Sequence, residues 1–190
     1  MRIGVLGLQG AVKEHLDMLE GCGCNAVDVR KVGDLQGLDG LIIPGGESTT
    51  IGKLMERYGF DVEIKRRVGE GMAVFGTCAG LILLAKDIVG SSQARLGFMD
   101  IHVRRNAFGR QVESFEADLD IPAIGAEPFR AVFIRAPYIE SVEPGVEVLA
   151  RFDGKIVMAR EGRFLVSAFH PELTRDKRIH EYFIEKVVSG

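Results

Sequence analysis

The sequence has little that would mark it for export, for a membrane or for a nucleic acid. Three cysteines occur in 190 residues, Cys22, Cys24 and Cys78. An odd, small number does not make a disulfide framework. Cys22 and Cys24 lie in a Gly-Cys-Gly-Cys-Asn turn, and no second Cys or His pair follows at the spacing of a zinc site. Lys and Arg number 24 against 27 Asp and Glu, a formal net charge of −3. That balance offers no polybasic surface to a nucleic acid or a lipid headgroup. No apolar run approaches the ~20 residues of a membrane span. The first residues, Met1-Arg2-Ile3-Gly4-Val5, enter an apolar segment directly and lack the regions of a signal peptide. Repeats and low-complexity stretches are also missing. The expectation is a cytoplasmic protein that meets neither nucleic acid nor membrane.

What is present is ordinary for a globular chain, with 46% hydrophobic and 27% charged residues. Residues 1–190 are expected to form a single domain. The 24 glycines, without any repeat, point to tight turns where backbone approaches backbone or ligand.

The first half alternates strand and helix. Apolar runs at 2–8, 25–31, 39–43 and 72–75 read as strands buried in a parallel sheet. Helical patterns lie between them, first with Val12, Leu16 and Leu19 on one face, then over 50–58, 61–69 and 81–85. The second half changes to short strands at 98–104, 114–119, 129–134, 146–152, 155–160 and 163–169, with Asp153-Gly154 and Glu161-Gly162 as turns. A last helix over 176–188 carries Ile179, Phe183 and Val187 as a stripe. The fold class is therefore α/β: three layers, a mostly parallel central sheet with helices on both faces, and an antiparallel extension.

Gly76-Thr77-Cys78-Ala79-Gly80 follows a buried strand and opens a helix, the pattern of a nucleophile elbow with Cys in place of Ser. Such a turn holds the nucleophile in strained backbone and needs small neighbours. The helix N-terminus beneath it favours the thiolate. The N–H of Ala79 points at the same place and can hold an oxyanion. A nucleophilic Cys needs a base. His15, His102 and His180 lie within elements and read as solvated or structural. His170 ends an apolar strand, where catalytic groups of α/β sheets gather. Glu172, two residues on in extended chain, faces the same side roughly 6–7 Å away and can orient the imidazole. Pro44-Gly45-Gly46-Glu47-Ser48-Thr49-Thr50 ends the third strand and can bring a second oxyanion donor. Ser48 or Thr49 alternatively caps the next helix. Walker A and dinucleotide glycine patterns are absent.

Pro-Gly-Gly-Glu-Ser (44–48), Gly-Thr-Cys-Ala-Gly (76–80) and His-Pro-Glu (170–172) resemble the triad-type, class I glutamine amidotransferases. Gly-Leu-Gln-Gly (7–10), Arg-Asn-Ala-Phe-Gly-Arg-Gln (105–111), Ser-Phe-Glu (114–116) and Phe-Ile-Arg-Ala-Pro (133–137) are similar to the branch formed by the glutaminase subunits of pyridoxal 5′-phosphate synthase. The resemblance spans almost the whole chain without a departure at a motif position. It implies Cys78 as nucleophile, His170 as base and Glu172 as its orienter. It implies Gly46 and Ala79 as oxyanion donors, and an L-glutamine site of Gly46, Glu47, Ser48, Arg105, Ile134 and Arg135. Metal and cofactor are not required. The implied partner is a separate (β/α)₈ synthase chain in a large hetero-oligomer that receives the ammonia, with the loop Pro44–Glu47 as the candidate activity switch. The rivals are another amide or ester hydrolase, such as a cysteine peptidase, and a scaffold that has kept only the fold. Related peptidases commonly place His after the nucleophile, where this chain has Ala79.

Overall fold

A computed structural model describes residues 1–105 and 114–190. The motif stretch 106–111 therefore lies outside the described residues. The chain runs β1 (Arg2–Leu6), α1 (Val12–Gly21), β2 (Asn25–Val29), β3 (Gly40–Ile43), α2 (Ser48–Tyr58), α3 (Phe60–Gly69), β4 (Ala73–Thr77), α4 (Ala79–Leu84), β5 (Ala85–Ile88) and β6 (Met99–Arg104). It continues with β7 (Ser114–Leu119), β8 (Phe129–Ile134), β9 (Tyr138–Val142), β10 (Glu147–Phe152), β11 (Lys155–Glu161), β12 (Phe164–Ser167) and α5 (Arg178–Tyr182). The last helix then widens into a π-helical turn over Phe183–Val188.

The main sheet has the order β2-β1-β3-β4-β12-β11-β9-β6-β5, with β10 added to β11; β7 and β8 form a separate hairpin. Strands β2, β1, β3 and β4 are mutually parallel. Strand β12 is parallel to β4 and antiparallel to β11, so it joins the two halves expected from the sequence. Strands β3 and β4 are buried along their whole length, as near-continuous apolar runs inside a parallel sheet should be.

Side chains alternate along β4, which shows the layers directly. Phe75 and Thr77 face His15 of α1 and His180 of α5. A Cβ placed on Gly76 would instead meet Gly80 and Leu81 of α4. Helices therefore cover both faces. The core runs without a break through both halves of the sheet.

Three local readings change. The inner face of α1 is turned from the Val12-Leu16-Leu19 stripe: His15, Met18 and Leu19 are buried, while Val12 and Leu16 are half-buried. Strands β5 and β9 form where the sequence pattern gave none. Ala85–Ile88 pairs parallel with β6, and Tyr138–Val142 pairs antiparallel with it.

Candidate active site

The end of β4 turns into α4 at Cys78, whose φ of 48° and ψ of −97° are costly for a residue with a Cβ. Two features impose that backbone. The Cys78 N–H donates to Ser167 O at 2.8 Å, fastening the elbow to the end of β12. Gly80 packs so close to β3 that a Cβ there would stand 2.1 Å from Ile43 O. The thiol is 7% exposed and lies 3.8 Å from Ile134 O.

His170 follows β12 and is fixed by its own N–H, which donates to Val132 O of β8 at 2.8 Å. The extended geometry expected for 170–172 gives way to a 3₁₀ turn over Pro171–Leu173. The turn still delivers the contact. His170 Nδ1 lies 2.7 Å from Glu172 Oε1, and both residues are buried. Nδ1–H donates to the carboxylate, which leaves Nε2 for the thiol. Burial pulls the His170 imidazole towards the neutral form. The hydrogen bonds to Cys78 and Glu172 outweigh it and push the pKa from 6.5 up to about 10. The imidazolium form of His170 is thus favoured beside Cys78 and Glu172.

A cavity of about 740 Å³ opens over the thiol. Its walls include Gly46, Glu47, Ser48, Cys78, Ala79, Arg105, Ile134, Arg135 and His170, so every candidate site residue except Glu172 reaches it. Glu172 stands behind His170, where an orienting group belongs. Gly45 is the close approach: a Cβ there would come within 2.3 Å of His170 Cε1. Arg135 carries a second positive φ, 43°, at the end of β8.

The cap of α2 is Glu47 rather than Ser48 or Thr49. Its carboxylate accepts from the backbone N–H of Thr49 at 3.1 Å and of Thr50 at 2.8 Å, and from the Thr50 hydroxyl at 2.7 Å. The Thr50 hydroxyl leads the effects that hold this carboxyl below its ordinary pKa. The Glu47 carboxylate is occupied by its own helix, and its carbonyl accepts the Ile51 N–H at 3.0 Å.

Two cavity neighbours had no signal of their own in the sequence. Gln9 Oε1 accepts the Glu47 N–H at 2.8 Å, and Ala11 N–H donates to Gly45 O at 3.2 Å. Together they latch the glycine loop to the start of α1. Gln93 Nε2 donates to Ser48 Oγ at 3.1 Å, and Arg105 Nη1 donates to Gln93 Oε1 at 2.5 Å. Gln93 thus joins two expected site residues from different elements. Gln9 lies inside the Gly-Leu-Gln-Gly stretch; Gln93 lies in irregular chain with no pattern to read.

The sequence profile of the SNO glutamine amidotransferase family matches residues 5–189. The chain belongs to that family. Relatives include the pyridoxal 5′-phosphate synthase subunit PdxT of Pelotomaculum thermopropionicum, 65% identical over 100% of this chain and 97% of the relative. The subunit of the same name from Carboxydothermus hydrogenoformans is 60% identical over 100% of both chains. A solved crystal structure of a glutamine amidotransferase superposes with a TM-score of 0.93 at 54% identity, covering 99% of each chain. The mixed sheet with its covering helices is the fold of this family. Among the described residues, no group of three or more His, Cys, Asp or Glu converges as a metal site. Among the described residues, no helix is long and apolar enough to cross a membrane.

Buried histidines also set a pH response. Burial lowers the pKa of His180 from 6.5 to about 4, and that of His15 well below 6.5. In the unfolded chain both imidazoles protonate near pH 6.5. The unfolded state therefore binds the extra protons first, and stability falls as pH drops from 6.5 towards 4. His170 has the opposite sign: its contribution is complete below pH 6.5 and is lost as pH rises through about 10. Unfolding free energies from urea titrations at pH 6.5 and pH 5 should differ by about 1–2 kcal/mol through His180, with His15 adding a loss of the same sign. His180→Gln should shrink that acid-side loss; an unchanged loss would contradict the neutral assignment.

Proposed function

We propose that the protein hydrolyses the side-chain amide of L-glutamine and releases ammonia to a separate pyridoxal 5′-phosphate synthase chain. The observation that carries the chemistry is the line Cys78, His170, Glu172 beneath an open cavity, with the His170–Glu172 bond at 2.7 Å. The Cys78 thiolate adds to the amide carbon. Oxyanion charge develops against the N–H groups of Gly46 and Ala79. The His170 imidazolium gives its proton to the leaving nitrogen, the C–N bond breaks, and ammonia departs from a thioester. His170 then takes a proton from water, whose oxygen adds to the thioester carbon. Glutamate leaves and the thiolate is restored beside protonated His170. Ser48, Arg105, Ile134 and Arg135 line the pocket that holds the amino acid.

The acceptor chemistry rests on the names of the full-length relatives. We read residues 1–190 as one glutaminase domain, working in the cytoplasm with a (β/α)₈ synthase in a hetero-oligomer. The loop latched by Gln9 is its switch. Ammonia release from glutamine is measured for the chain alone and with the synthase, and turnover should rise with the partner. A glutamine-analogue affinity label should modify Cys78 stoichiometrically, and glutamine should block it. Equal turnover with and without the synthase overturns the switch, and an unlabelled Cys78 in the partner-bound state overturns the glutaminase.

A further inference from the structure

Two histidines that this mechanism does not use lie directly behind it. His15 of α1 and His180 of α5 are both 0% exposed. His15 Nδ1 is 2.9 Å from His180 Nε2, and His15 Nε2 is 3.1 Å from Thr77 Oγ1. The same Nε2 stands 3.4 Å from Glu172 Oε2. That oxygen matters because its twin, Oε1, is engaged with His170. Oε2 is buried and makes no hydrogen bond of normal geometry, so His15 Nε2, which bonds Thr77 Oγ1, stands beside an unsatisfied carboxylate oxygen. A buried carboxylate oxygen with no donor is expensive.

The proton positions follow from what each choice would leave bare. Burial keeps both imidazoles neutral, so each ring carries one N–H. Suppose His15 holds its proton on Nδ1. Its Nε2 lone pair then accepts from the Thr77 hydroxyl but also faces the Glu172 carboxylate, and His180 must bury an Nδ1–H without an acceptor. Suppose instead that His180 donates from Nε2 to His15 Nδ1. His15 then presents Nε2–H to Glu172 Oε2 and Thr77 Oγ1, and the one bare atom is an acceptor, His180 Nδ1. Orphan donors cost more than orphan acceptors and a lone pair repels a carboxylate, so the second arrangement is the stable one.

We propose that His15, set in this tautomer by His180, is a positioning residue for the triad: its Nε2–H fills the second oxygen of Glu172 and fixes the carboxylate plane against His170. The inference rests on the Cys78–His170–Glu172 reading. The donors then run in series, from His180 to His15, from His15 to Glu172, and from His170 to the other oxygen of Glu172. Thr77 precedes Cys78, so the same imidazole also ties the end of β4 to the orienter. A carboxylate free to rotate would let His170 swing from the thiol, and small misplacements of that kind are costly to rate.

Two isopolar variants separate positioning from packing. A Gln amide nitrogen at position 15 reaches where His Nε2 stands; an Asn amide nitrogen stops where Nδ1 stands. Both bury an amide in the same slot, so thermal melts should fall together. In the complex with the synthase, His15→Asn should lower kcat for glutamine about ten- to a hundredfold with KM nearly unchanged, while His15→Gln stays within about threefold of the parent. The alkylation rate of Cys78 by iodoacetamide, read by mass spectrometry, should follow the same order. Equal kcat and equal alkylation in the two variants overturns the proposal. If glutamine turnover is absent even in the parent while Cys78 alkylation still separates Gln from Asn, the positioning role stands and the glutaminase reading falls.

Discussion

Cys78→Ala should remove glutamine hydrolysis by at least about 10⁴-fold, because the covalent route disappears and the oxyanion donors alone remain. The fold should survive. The thiol is small, and its neighbours are set by backbone bonds, Cys78 N–H to Ser167 O among them. A sharper version uses the strained backbone. At φ 48° and ψ −97°, any residue with a Cβ holds about 1–3 kcal/mol of strain. Cys78→Gly relieves that and loses about 0.5–1 kcal/mol to the greater freedom of the unfolded chain. The glycine variant should therefore be as stable as Cys78→Ala or more so, by up to about 2 kcal/mol, and equally inactive. Ammonia release and a urea titration on the same preparations read both effects. Residual turnover within tenfold of the parent would remove Cys78 from the mechanism. A glycine variant clearly less stable than alanine would mean that the elbow is not strained.

Gly80→Ala should be severely damaging for so small a substitution. The added Cβ would lie 2.1 Å from Ile43 O and 3.0 Å from Ile43 C, atoms of a fully buried strand that cannot move aside as a side-chain tip can. Helix α4 would have to leave β3, with a cost of about 3 kcal/mol or more. That is a large share of the ~5–15 kcal/mol that holds a domain together. The Ala79 N–H would lose its aim with the same displacement. Gly33→Ala is the control. No atom lies within 4 Å of a Cβ there and the backbone is not left-handed, so it should be neutral or gain about 0.4–1 kcal/mol. Equal urea midpoints for the two variants would show that the contact at Gly80 relaxes without consequence.

The convergence of Cys78, His170 and Glu172, the proposed nucleophile, base and orienter, was legible because each sits in a short contiguous motif at a strand end. There, local backbone demands and chemistry select the same residues. The parallel half was legible for a related reason: strands buried on both faces show as apolar runs. Strand β9 was not, since Tyr138-Ile139-Glu140-Ser141-Val142 mixes polar and apolar residues and its partner β6 is 34 or more positions away. Strand β5 was hidden by its abrupt start, where Ala85 ends α4 and begins the strand. His15 and His180 carry no local pattern at all. Their meeting depends on α1 and α5, 165 positions apart, packing against one face of β4. The role of Glu47 as cap was obscured by two better-known capping residues beside it. The 3₁₀ turn at Pro171 altered the route by which Glu172 reaches His170, though not the contact.

The joining strand β12 also orders events in time. Cys78 precedes His170 by 92 positions in the chain (170 − 78). At ribosomal speed that interval is about 5–20 s. Throughout it the nascent elbow has neither its base nor the Ser167 carbonyl that fastens it. A fragment that stops before β12 contains the nucleophile without the means to use it. On the proposed mechanism, glutamine turnover is therefore a late acquisition of the chain during synthesis, and a chain aborted before β12 cannot catalyse it.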